Sequence, residues 1–78
     1  MTRDRVYQLI DRERSRQDEK FPGDVGGWQA FDVRKLTVLV EEVGEVARAI
    51  LEQDELNKRD ELVQCAAVIA KWLESELE

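Results

Sequence analysis

A chain of 78 residues has room for one small domain and only a modest apolar core, so contacts beyond the single chain are expected to contribute to its stability. A net charge of −6 speaks against a general nucleic-acid binder, the absence of histidine excludes histidine-based acid–base chemistry and metal ligation, and the single cysteine, Cys65, excludes an internal disulfide. No apolar run approaches the ~20 residues of a membrane span and the charged start is unlike a signal peptide, so a soluble cytoplasmic protein is expected.

The first predicted helix runs from about Thr2, an N-cap candidate, to about Glu19. Val6, Leu9 and Ile10 anchor it, whereas Asp11–Lys20 is almost wholly polar and reads as a solvated or partner-facing rod. Pro22, Gly23, Gly26 and Gly27 then end any helix, in a loop that also carries Phe21 and Trp28. A second helix is predicted from Asp32, another cap candidate, to about Gln53. Leu36, Val40, Val43, Ala47 and Ile50 form one apolar stripe, with Leu39 and Val46 on its neighbour. The remaining stripe is Lys35, Val38, Glu42, Glu45, Ala49 and Glu52. The polar turn Asp54–Asn57 predicts a helical hairpin, with Asn57 capping a third helix from Lys58 to Leu77. That helix is apolar nearly all round, which marks it as central and makes Cys65 and Trp72 core candidates. The expected architecture is a single all-α domain over residues 1–78, three helices per chain assembling into an oligomeric bundle.

Residues 21–78 carry six basic and thirteen acidic side chains, so the acidity belongs to the last two helices and their ends. Glu42 and Glu45 are three residues apart, as are Glu61 and Gln64, and each pair shares one helix face. Packed side by side, two such helices would surround a hard cation such as Mg²⁺ with oxygen ligands. The competing reading is a charged face solvated or salt-bridged through Lys35, Arg48 and Lys71. Carboxylates set among Val40, Val43 and Val46, with Glu41 beside them, need something positive nearby.

The segments Leu39-Val40-Glu41-Glu42-Val43-Gly44-Glu45-Val46-Ala47-Arg48-Ala49-Ile50 and Asp60-Glu61-Leu62-Val63-Gln64-Cys65-Ala66-Ala67-Val68 resemble the MazG-like all-α nucleoside triphosphate pyrophosphatases. That family carries E-x-x-E on one helix and E-x-x-D on the next, and the likeness spans roughly residues 12–75. It implies Mg²⁺-dependent (or Mn²⁺-dependent) hydrolysis of a nucleoside triphosphate to the monophosphate and pyrophosphate, clearing unwanted nucleotides from the pool. It also implies a dimer or tetramer in which neighbouring subunits complete the pocket. Glu42, Glu45, Glu61 and Gln64 take the metal positions, and Glu41 or Glu45 is placed to orient the attacking water. Gln64 departs from the family's Asp, so one metal ligand is a neutral amide oxygen.

For substrate, Lys35 and Lys71 are phosphate candidates, each otherwise an ordinary flanking charge. Trp28 is the base-stacking candidate, its alternative being a plug over the apolar end of the hairpin. Two other functions stay open. One is phosphoribosyl-ATP pyrophosphatase activity, although the Ala-Asp usual before that enzyme's second-helix core is missing. The other is a catalytically weak or inactive oligomeric module that binds nucleotide or a protein partner, for which Gln64 is the support.

Overall fold

The computed structural model describes residues 1–20 and 31–77. Among them the chain is all helical: α1 (Arg3–Lys20), α2 (Asp32–Leu51) and α3 (Glu55–Glu76). α3 is the middle element and packs against both α1 and α2, as its all-round apolarity predicts. None of the helices is long and apolar enough to cross a membrane.

Local contacts account for several of the helix ends. Thr2 caps α1, its Oγ1 accepting from the Arg5 N–H at 3.2 Å. The polar half of α1 is held to α3 by a forked contact, in which Arg14 Nε donates to Glu74 Oε2 at 2.6 Å and Nη2 to Oε1 at 3.0 Å. That half, expected as a solvated or partner-facing rod, is therefore partly docked on α3. α2 starts one residue away from the expected cap: Phe31, in extended conformation, occupies the N-cap position with no side-chain bond. Asp32 is instead a first-turn acid, 3.7 Å from the Lys35 ammonium.

The turn between α2 and α3 is tighter than the sequence suggests. Asp54, not Asn57, caps α3, its Oδ1 accepting from the Asn57 N–H at 3.1 Å. The helix accordingly begins at Glu55 rather than Lys58. Just before it, Gln53 adopts φ 57°, while the Gln53 and Asp54 N–H groups bond back to the Ile50 and Ala49 carbonyls at 3.1 and 2.9 Å. This is a Schellman ending, whose left-handed position normally belongs to glycine.

The packed interior is made of small side chains. Ala49, Cys65, Ala67 and Val68 are its buried apolar members, and no large side chain among the described residues is fully enclosed. Trp72 is half-buried, its indole N–H donating to Glu76 Oε1 at 3.1 Å, so it belongs to the margin and not to the core. The stripe Leu36, Val40, Val43, Ala47 and Ile50 faces outward. The face of α2 turned inward is Lys35, Val38, Leu39, Glu42, Val46 and Ala49.

The Gln53 geometry yields a stability prediction. Gln53→Gly relieves a left-handed Cβ penalty of ~1–2 kcal/mol, partly offset by glycine's greater freedom in the unfolded chain. A net gain of about 0.5–1 kcal/mol is expected in urea melts, and a loss of stability would contradict the turn.

Candidate functional site

The inward rotation of α2 brings its acidic stripe onto the acidic end of α3. Glu42 and Glu61, one from each helix, come within hydrogen-bonding reach of each other. Both side chains are half-buried, and Glu42 Oε2 and Glu61 Oε2 are buried atoms that no donor reaches. Two ionised carboxylates cannot hydrogen-bond to each other, so with no cation between them the pair is relieved only by taking up a proton. The Glu42 carboxyl is accordingly pushed up to about 7, first by burial, then by its hydrogen bond to Glu61, and then by the charges of Glu61, Glu45 and Glu13. The Cys65 thiol, buried close by, is also raised, by burial and then by the same two glutamates, which makes it a poor nucleophile.

Beside this pair lies a groove of ≈ 350 Å³ formed by all three helices. Glu41, Glu42 and Val38 of α2 and Gln64, Val68 and Lys71 of α3 form two of its walls. The third wall is α1, through Glu13, Arg16, Gln17 and Lys20, and Arg34 of α2 also lines the groove. Arg16 Nη2 is 2.7 Å from Glu13 Oε2, and its charge also acts on Glu42. Gln17 Oε1 is a third buried oxygen that receives no hydrogen bond. The groove thus sets cationic side chains around an oxygen-rich floor.

The residues singled out from sequence are distributed unevenly about this centre. Glu41, Glu42, Gln64 and Lys71 line the groove, and Glu61 pairs with Glu42. Glu45 is exposed on α2 and reaches Glu42 through its charge. Lys35 is not brought there: it is buried, paired with Asp32, and absent from the groove wall. Trp28 lies outside the described residues. Among the described residues, no three Asp, Glu or Cys side chains gather closely enough to hold a metal ion together. The α1 contribution was missed in sequence, although Glu13, Arg16, Gln17 and Lys20 recur at the three- and four-residue spacing of one helix face.

The raised Glu42 carboxyl makes a pH prediction. An acid with a higher pKa folded than unfolded binds more protons in the native state, so stability falls as pH rises from about 4.5 to about 7. In EDTA the melting temperature should drop across that window, and Glu42→Gln should flatten the drop. Identical pH profiles for the two proteins would contradict the paired carboxylates.

The chain matches no family model, no curated protein and no solved structure.

Proposed function

We propose that the chain is a divalent-cation-dependent nucleoside triphosphate pyrophosphohydrolase of MazG-like type, working as a homo-oligomer, dimer or tetramer, in nucleotide-pool house-cleaning. The observation that carries this reading is the Glu42–Glu61 pair, with its two orphaned buried oxygens, at the wall of a groove bearing Arg16, Lys20, Arg34 and Lys71. A purely structural acidic face would leave its carboxylate oxygens in water or paired with cations, and the Oε2 atoms of these two are buried with no hydrogen-bond partner.

The donor set is all oxygen, which suits Mg²⁺ or Mn²⁺. Glu42 and Glu61 would hold the ion, and Glu45 and the amide oxygen of Gln64 are further donors, each one turn along its helix. When bound, the ion supplies positive charge that offsets that of the triphosphate. Arg16, Lys20, Arg34 and Lys71 bind phosphate oxygens through charge-assisted hydrogen bonds and lay the triphosphate along the groove. Water attacks the α-phosphorus while the bond to the bridging oxygen opens and pyrophosphate leaves. Glu41 or Glu45 takes the proton that the attacking water gives up. Trp28 stays the base-stacking candidate of this proposal.

Gln64 favours a second reading, a module that binds nucleotide without turning it over, because a neutral ligand weakens metal affinity. Pyrophosphate release decides between the two. It is measured over ribo- and deoxynucleoside triphosphates and phosphoribosyl-ATP, with Mg²⁺, with Mn²⁺ and with EDTA. Metal-dependent release is expected; silence across the panel from a folded protein would support the binding module.

Two variants sharpen the test. Glu45→Gln should cut turnover ~10²-fold or more without loss of helix content, since Glu45 is exposed, and full activity would end the assignment. Gln64→Asp should lower the Mg²⁺ concentration needed for half-maximal rate, and an unchanged requirement would remove Gln64 from the ligand set.

A further inference from the structure

A second groove, of ≈ 1020 Å³, runs between α1 and the first part of α3. Val6 and Leu9 of α1 and Leu62 and Val63 of α3 give it an apolar lining, to which Met1 adds. Val6 is 40% exposed and Leu62 51%, so packing within the chain leaves this lining open to water.

Three arginines, Arg12, Arg16 and Arg59, line the same groove, against two acids, Glu13 and Asp60. Arg16 is already engaged by Glu13, at 2.8 Å through Nε and 2.7 Å through Nη2. Arg12 and Arg59 differ: among the described residues neither has an ion pair or a side-chain hydrogen bond. Arg12 stands on one wall and Arg59 on the other. The groove is therefore net positive on a chain whose net charge is −6. An open apolar lining between two unengaged guanidinium groups suits a ligand that is apolar on one face and acidic at its edges.

Shape selects among such ligands. A cavity holds a small amphiphile, such as a fatty acid, by burying most of its surface. This lining lies open between two helices, with acids as well as arginines around it, and would leave an acyl chain wet. Two helices side by side instead offer the ridges and grooves on which a third helix packs. Residues 6 to 16 of α1 extend over ~15 Å at the helical rise, room for about three turns of an apposed helix.

We propose that the groove between α1 and α3 docks an acidic amphipathic helix of another protein. The apolar face of that helix covers Val6, Leu9, Leu62 and Val63, and its carboxylates engage Arg12 and Arg59. The surface adjoins the carboxylate-bearing groove, since Glu13, Arg16 and Gln64 line both. The inference does not rest on the nucleotide chemistry proposed above.

Peptide selection on the full chain tests it. The probe is a displayed library of 18-residue peptides with leucines fixed at three- and four-residue spacing and the flanking positions randomised. Peptides flanked by Asp and Glu should be enriched, and their binding, read by fluorescence anisotropy, should weaken as salt is raised. Arg12→Glu with Arg59→Glu should weaken that binding about tenfold or more and should itself select peptides flanked by Lys and Arg. Both arginines are exposed, so helix content should be unchanged in the double variant. No enrichment on the folded chain, enrichment without acidic flanks, or binding that the double variant leaves intact would each overturn the proposal. Two further outcomes would give the groove another occupant and overturn it as well. One is saturable binding of decanoate that the double variant abolishes while no peptide is enriched. The other is a multimeric mass of the chain that falls to 9.1 kDa in the double variant, showing a second copy in the groove.

Discussion

The rotation of α2 about its own axis decides both what the chain can bind and what it leaves uncovered. An amphipathic helix in a self-sufficient domain turns its apolar stripe inward, because each large side chain removed from water contributes ~1.5–3 kcal/mol. Here the inward face is the one carrying Glu42 and Lys35, and the stripe centred on Val40 and Val43 looks out. That orientation costs the chain twice, in bare apolar surface outside and in crowded charge inside. Lys35 is relieved by Asp32, but the buried Oε2 atoms of Glu42 and Glu61 receive no hydrogen bond. A second copy on the outer face and a cation on the inner one would answer both costs with one orientation.

The middle helix makes the arrangement possible. Cys65, Ala66, Ala67 and Ala70 give α3 a narrow waist, so α1 and α2 can both approach its backbone closely. This is why the buried set consists of alanines, a cysteine and a valine, and why three helices rather than two reach the groove. Arg14, forked onto Glu74, fixes the polar half of α1 over that groove and so carries Glu13, Arg16, Gln17 and Lys20 to it. A contact that does little for overall stability in solvent still sets the position of four side chains.

Much of the fold was legible in sequence because it rests on local chemistry. The cap at Thr2 and the apolarity of the third helix each act within a few residues. The pairing of Glu42 with Glu61 was also within reach, since three-residue spacings on adjacent helices place acids on facing sides. The misses are tertiary. Lys35 shares a stripe with Glu42 and was a phosphate candidate beside Lys71, but in the fold it is buried near Asp32 and does not line the groove. The cap at Asp54 was masked by an equally good capping residue at Asn57, and only the left-handed Gln53 decides between them. The α1 residues share one helix face, but a polar helix face looks the same in sequence whether water or a neighbouring helix lies against it.

The central claim is that Glu42 and Glu61 together form a divalent-cation site, and calorimetric titration of the metal-free protein with Mn²⁺ tests it most directly. The account predicts saturable binding that releases protons near pH 7 and is lost in both Glu42→Gln and Glu61→Gln. Binding that survives either substitution, or no binding by the folded protein, would contradict it.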